Sequence, residues 1–309
     1  MKIALAGIGK IARDQHVPAI AGSSDWDLGA TVSRSGSVEG VPSFTSLAEM
    51  FEAHPEVEVV SLCMPPKPRF DYAAEVIRAG RHVMLEKPPG ATLSECHILR
   101  DMAAAAGVSI YATWHSRQAA QVAAAKAWLA ERALRHVTVI WKEDVRRWHP
   151  GQDWVFEAGG LGVFDPGING LSILTEILPD PVHLRSAELL VPENRQAPIA
   201  ARLAFHHTGG AQISAEFDWR QEGEELWTIE VETEDGAIRL SEGGASLHID
   251  GKEVAQVDGA ANDGEYPQLY SQMAMLVREG RSEMDLRPLA LVADAFLLGE
   301  RRVVAPFEF

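Results

Sequence analysis

The 309-residue sequence predicts an α/β protein in two parts: a parallel, doubly wound domain over residues 1–117, and an α+β domain with a largely antiparallel, open-faced sheet over 118–309. Three observations predict it. Short apolar runs alternate with helical periodicity through the first third of the chain. A glycine-rich turn follows the very first strand. Beyond about Arg117, strand candidates succeed one another without long helices between them.

The elements follow in order. Residues 3–6 are a short apolar strand closed by glycine. A helix begins near Lys10 and meets Pro18, whose ring and missing N–H should kink or end it. Residues 28–32 form a second strand and 46–53 a helix; 57–63, β-branched and apolar, form a buried third strand. An amphipathic helix covers 70–79 and a fourth strand 82–85. Thr92 and Glu95 make a capping box for a helix over 92–106, and 108–112 is a fifth strand. This alternation implies right-handed crossovers and helices on both faces, a Rossmann-like arrangement.

The second part opens with an alanine-rich helix at 119–130, a strand at 136–141 and a helix at 167–177. Strands at 183–191, 199–206, 212–219, 226–231 and 237–240, with a turn at Thr208-Gly209-Gly210, read as an antiparallel sheet. Helices return at 266–279 and 288–300, and these C-terminal helices are free to pack back on the first domain.

Composition narrows the function. A formal net charge of −16 argues against a nucleic-acid partner, since neutralising phosphates needs clustered Lys and Arg. No apolar run approaches the roughly 18 residues of a membrane span, so no membrane partner is expected. The opening residues read as a strand rather than a signal peptide. Cys63 and Cys96 are too few and too far apart for a disulfide framework, and a reducing, cytoplasmic setting is expected. No Cys/His spacing suits a metal, and His206 and His207 point to opposite faces of a strand.

Four constellations carry chemistry. In Gly7-Ile8-Gly9-Lys10-Ile11-Ala12 the first glycine permits the turn and the second admits a pyrophosphate. The small last residue lets helix and strand approach, and the helix N-terminus offers amide groups to the phosphates. The second strand ends in Ser33-Arg34 rather than an acidic residue, so a 2′-phosphate is accommodated and the cofactor is NADP or NAD. Glu86-Lys87-Pro88 lies at the C-terminal end of the fourth strand, the edge where such sheets bind ligands. The segment from Trp141 to Gly151, with Glu143, Trp148 and His149, mixes rings with polar groups as a sugar site requires. Asp165 and Asn169, four apart at a helix start, share one face; Asp165 before Pro166 is equally an N-cap candidate.

These residues together resemble the glucose–fructose oxidoreductase / inositol dehydrogenase family. Also matching are Pro65-Pro66 and the run Ala79-Gly80-Arg81-His82-Val83 leading into Glu86-Lys87-Pro88. The resemblance covers essentially the whole chain. The usual family histidine four residues after the aspartate is Asn169 here. That departure, with the stretches 10–16, 112–117 and 141–148, is similar to a narrower group, bacterial aldose 1-dehydrogenases acting on D-galactose and L-arabinose. The resemblance implies that Lys87, Glu143, His149, Asp165 and Asn169 line a sugar site, with Trp148 and His115 as further substrate contacts. It implies cofactor contacts from Gly7, Ile8, Gly9, Lys10, Ile11, Ser33, Arg34, Pro65, Glu86 and Lys87. The implied reaction takes a pyranose to its lactone, with Asp165 as base and Asn169 and Lys87 orienting the substrate. Alternatives are Lys87 as base, a non-catalytic sugar or dinucleotide sensor, and a dehydrogenase for an inositol or a sugar secondary alcohol. The family also implies a homodimer through the open sheet.

Overall fold

The computed structural model describes residues 1–255 and 264–309. Two compact units divide the chain. One holds Met1–His115 and a later segment ending at Leu286; the other begins at Ser116 and also holds Arg287–Phe309.

In the first unit, β1 (Lys2–Ala6), β2 (Asp27–Val32), β3 (Ser43–Phe44), β4 (Val57–Leu62), β5 (His82–Leu85) and β6 (Ile110–Ala112) form one sheet. Their order is 3-2-1-4-5-6 and every pair is parallel, the doubly wound topology. Alternation along β1 sends Ala4 and Ala6 to one face and Ile3 and Leu5 to the other. Over the first face lie α2 (Leu47–Ala53), α3 (Pro66–Arg78) and α4 (Leu93–Ala106), supplying Met50, Ile77 and Leu99 to the core. Over the second lie the helix after β1 and α8 (Glu265–Glu279), supplying Ala12, Ile20, Leu269, Tyr270 and Met273.

The helix runs past Pro18 to Ala21, so Pro18 does not end it, but it departs from α geometry directly ahead of the proline. A π turn over Ala12–His16 precedes it, so Pro18 falls in the first turn of α1 (Val17–Ala21), where a missing N–H costs little. The capping box at Thr92 and Glu95 is present as read, and Gly107 closes α4 in the left-handed region.

The second unit is built on one sheet of nine strands. They are β7 (Leu134–Lys142), β8 (Val182–Pro192), β9 (Ala200–His207), β10 (Gln212–Asp218), β11 (Leu226–Thr233), β12 (Ala237–Ser241), β13 (Ser246–Ile249), β14 (Lys252–Glu253) and β15 (Glu300–Val304). The order is 14-13-12-11-7-10-9-8-15. The sheet is mostly antiparallel; β10 with β7 and β15 with β8 run parallel. The expected helix through residue 300 is too long: α9 (Arg287–Leu298) stops before Gly299, and Glu300 opens β15.

Helices α5 (Val122–Leu129), α7 (Phe164–Ile177) and α9 cover one sheet face. The central one, α7, lies very close to the strands. A Cβ on Gly167 would stand 2.7 Å from the Phe217 ring, and one on Gly170 would stand 2.8 Å from the Trp141 ring. The opposite face shows Thr138, Ile140, Lys142, Ser214, Glu216 and Arg202, exposed or half-buried in the single chain.

Candidate active site

Packing forces the first glycine of the turn. Gly7 has φ +89°, and a Cβ there would stand 2.7 Å from the Met64 amide nitrogen. Its own N–H donates to Val32 O at 2.9 Å, tying the turn to the end of β2. Gly9 differs: a Cβ there meets no protein atom within 4 Å, so packing does not demand glycine. The helix begins with Arg13 N donating to Gly9 O at 3.2 Å, which leaves the amides of the preceding turn directed outward at a positive dipole end. These features fit a dinucleotide pyrophosphate. Ile8 is buried, whereas Lys10 and Ile11 are exposed and Lys10 pairs with Asp14. The loop after β2 folds onto this turn, because a Cβ on Gly36 would stand 2.4 Å from Ile8 O. Ser33 Oγ accepts from the amides of Ser35 (3.4 Å) and Gly36 (3.0 Å), shaping that loop, and Arg34 is exposed beside it. Pro65, exposed, caps α3 next to Met64.

At the end of β5, every residue from Val83 to Gly90 is buried except Lys87. The Lys87–Pro88 peptide is cis. Glu86 is turned inward: Oε2 accepts from the Lys87 amide at 2.7 Å, and Oε1 accepts from Tyr266 Oη at 2.7 Å and faces His16 Nε2 at 3.2 Å. His16 Nδ1 in turn lies 2.7 Å from Tyr270 Oη. Burial pushes the Glu86 carboxyl up, but the hydrogen bond and charge of His16, aided by His115 and Tyr266, hold it down at about 2. Burial disfavours the His16 imidazolium, yet Cys63, Tyr270 and Glu86 around it raise its pKa well above the ordinary range. His115 belongs to the same group: it stacks on Tyr266 and its Nδ1 lies 2.6 Å from Glu265 Oε2.

The second unit carries the other candidates. Of the residues from Gly162 to Thr175, only Asp165 and Asn169 escape full burial. They stand one turn apart on α7, as the spacing predicted. Val163, not Asp165, occupies the N-cap position, so the capping alternative for Asp165 is corrected. His149, at the end of α6 (Val145–Trp148), places Nε2 3.2 Å from Asp165 Oδ2 and Nδ1 3.2 Å from Gln152 Oε1. Gln152 Oε1 also accepts from Trp154 Nε1 at 3.1 Å. An indole N–H only donates, so this Gln152 atom is an oxygen and His149 Nδ1 carries a proton. Nε2 is then the nitrogen that faces Asp165.

Glu143, just past β7, is buried, and both its oxygens are held by indoles. Trp219 Nε1 donates to Oε1 at 3.1 Å and Trp227 Nε1 to Oε2 at 3.0 Å. Trp148 spends its indole N–H on Glu225 at 2.6 Å and lies against Trp227 and Arg147, leaving a partly exposed ring. The structure thus groups Glu143, Trp148, His149, Asp165 and Asn169 on neighbouring elements of one unit. Gly7 to Ile11, Ser33, Arg34, Pro65, Glu86, Lys87 and His115 belong to the other.

Several supporting residues escaped the sequence reading. Trp219 and Trp227 look like ordinary strand-end tryptophans, and His16, Tyr266 and Tyr270 are distant in sequence from Glu86. Only the unusual density of tryptophan around residues 141–154 pointed toward the first pair. Among the described residues no cluster of His, Cys, Asp or Glu could hold a metal, and no helix is long and apolar enough to cross a membrane.

The GFO/IDH/MocA profile, an oxidoreductase family with an NAD-binding Rossmann fold, matches residues 1–113. A galactose 1-dehydrogenase from Pseudomonas fluorescens is 43% identical over 309 residues, covering 99% of this chain and 98% of its own length. The crystal structure of a D-galactose-1-dehydrogenase from Rhizobium etli is 52% identical with a TM-score of 0.94, covering 99% of this chain and 97% of that one. A 3-ketoreductase from Actinomadura kijaniata, KijD10, solved with NADP and TDP-benzene, shares the fold at 17% identity. Its TM-score is 0.84, over 98% of this chain and 99% of its own.

Proposed function

The chain belongs to the GFO/IDH/MocA oxidoreductase family, and from that premise we propose that it oxidises the anomeric carbon of D-galactose, and of L-arabinose, to the lactone. The observation that carries this reading is the pairing of His149 with Asp165 beside Asn169, on the one incompletely buried face of α7. It is joined by likeness along essentially the whole chain to two galactose 1-dehydrogenases.

When bound, the nicotinamide supplies the acceptor for the hydride leaving C1. The residues of this chain handle the rest. Asp165 accepts the proton of the C1 hydroxyl, with His149 Nε2 3.2 Å from its Oδ2 and holding that carboxylate in place. Asn169, one turn along, has both a donor and an acceptor for the C1 hydroxyl and ring oxygen, and Lys87 keeps the substrate-orienting role that the resemblance implies. Glu143, held rigid by two indoles, binds sugar hydroxyls, and the ring face of Trp148 covers apolar C–H groups. D-Galactose and L-arabinose pyranoses agree in configuration from C2 to C4, so one site serves both. On the cofactor side Arg34, exposed beside the Gly7–Gly9 turn, supports acceptance of NADP as well as NAD. The uncovered face of the large sheet is the surface proposed for a homodimer, in the cytoplasm.

The test is absorbance at 340 nm with galactose, arabinose, glucose and inositol, each with NAD and with NADP. Reduced cofactor with the first two sugars is expected. Its absence with every sugar, despite cofactor binding, overturns the reading. Asp165→Asn is expected to lower kcat by about 10²–10⁴ with cofactor Kd unchanged; a variant that keeps most of its rate moves the base to Lys87.

A further inference from the structure

Lys87 is attached to the protein in an unusual way. The peptide group joining Glu86 to Lys87 is held on both edges. Its N–H donates to Glu86 Oε2 at 2.7 Å, and its carbonyl oxygen accepts from the guanidinium of Arg69. Arg69 also donates to the carbonyl oxygens of Pro88 and Met64. The main chain is therefore pinned before and after Lys87, by a guanidinium that is 1% exposed and a carboxylate that is 4% exposed. Glu86 is itself held from two directions. Tyr266 reaches it from α8, and His16 from the helix that follows the glycine turn.

Burying several ionisable groups is an expensive way to fill a core, and apolar side chains of similar volume serve stability as well or better. The residue this network surrounds is the one incompletely buried position in its stretch. Lysine has a long, flexible stem. Fixing the backbone that carries it narrows the volume its ammonium can visit, and small displacements at a reacting centre are costly in rate.

We propose that Arg69 and Glu86, the latter braced by His16 and Tyr266, are positioning residues that hold the main chain of Lys87 and act on the reaction only through it. The proposal rests on the reading of Lys87 as a substrate-orienting group. His16 extends the device: it lies on the π turn directly after the pyrophosphate-binding turn, so one hydrogen-bonded chain joins the cofactor helix to the Lys87 turn.

The test is a double-mutant cycle. Glu86→Gln is placed in the wild-type and in the Lys87→Ala background, and kcat with galactose and Kd for the reduced cofactor are measured for each. Both Glu86 oxygens are engaged inside the protein rather than toward a cofactor, so in the wild-type background Glu86→Gln is expected to lower kcat at least tenfold with Kd within twofold. In the Lys87→Ala background its effect on kcat is expected to fall below twofold. Equal factors in both backgrounds, or no loss in the first, overturn the proposal. If Glu86→Gln does not fold, Tyr266→Phe, which removes one hydroxyl and keeps the ring, replaces it in the same cycle with a smaller expected loss. A separate readout is hydrogen exchange of the Lys87 amide in ¹⁵N-lysine protein, slow in the wild type and accelerated in Glu86→Gln or Tyr266→Phe. If Lys87→Ala keeps wild-type kcat, or no sugar is turned over, the functional reading fails. The clamp is then judged by exchange alone, and unchanged exchange refutes it.

Discussion

The two glycines of the N-terminal turn should respond to the same methyl group in opposite ways. Gly7→Ala puts a side chain at φ +89° and a Cβ 2.7 Å from a main-chain nitrogen of Met64. The left-handed conformation costs about 1–2 kcal/mol, and overpacking against backbone that cannot rotate away adds about 1–3 kcal/mol. A loss near about 3 kcal/mol lowers the unfolding temperature by about 6–12 °C for units of this size. Gly9→Ala meets no protein atom within 4 Å and no positive φ. Its stability should stay within about 0.5 kcal/mol of the wild type. The methyl would stand where the pyrophosphate comes closest, so cofactor Kd should rise at least about tenfold, which is about 1.4 kcal/mol. Thermal unfolding without ligand and titration of NADH by nicotinamide fluorescence separate the two effects. A Gly9→Ala protein that binds NADH normally would refute the placement of the pyrophosphate at this turn. One that unfolds early would show that packing, not a ligand, requires the glycine.

Further expectations concern the second unit and acid stability. Trp227→Phe leaves Oε2 of buried Glu143 without its indole donor, a loss of about 1–3 kcal/mol; the KM for galactose should rise about tenfold with cofactor Kd unmoved, and an unaltered KM would remove Glu143 from the sugar site. Gly170→Ala drives a methyl to 2.8 Å from the Trp141 ring and 3.0 Å from Val139, so thermal unfolding should report about 1–3 kcal/mol of destabilisation. Glu86 has a folded pKa of about 2 against an ordinary 4.5, so the charged carboxylate stabilises the fold above about pH 4.5. That contribution fades as pH falls from 4.5 toward 2. The stability gap between wild type and Glu86→Gln, followed by urea unfolding, should therefore narrow over that window; a constant gap would contradict a carboxylate that stays charged in the fold. His16 acts on the opposite limb: its raised pKa gives stability below its unfolded pKa that is lost as pH climbs through the folded one.

How much of this was legible beforehand depended on whether the signal was local. The strand–turn–helix of the first unit carries period and punctuation within a few residues of each other, and its parallel sheet followed from that. Asp165 and Asn169 were legible for the same reason, since four-residue spacing on a helix fixes a shared face. The grip of two tryptophans on Glu143 was not, because residues 219 and 227 reach it through strand pairing rather than along the chain. Short strands such as β3 and β14, two residues each, lack a period to read. The helix ending at Leu298 is overextended by the sequence reading because the charged residues after Gly299 carry neither a helical nor a strand period, and only pairing of Glu300 with Glu188 of β8 decides the change of state.

The return of α8 to the first unit bears on how the molecule is made. One face of the parallel sheet is finished by Leu269, Tyr270, Met273 and Leu276, residues synthesised after strands β7 to β14 of the second unit. Until they emerge, the face of the first 115 residues that carries Ile3, Leu5 and Val59 has only the helix after β1 to cover it. The same delay leaves Glu86 without Tyr266. Vectorial synthesis therefore yields an incomplete nucleotide-binding body that waits for α8, which follows β14 in the chain. A proteolytic or genetic truncation ahead of α8 removes a wall of the first domain, whatever it does to the second.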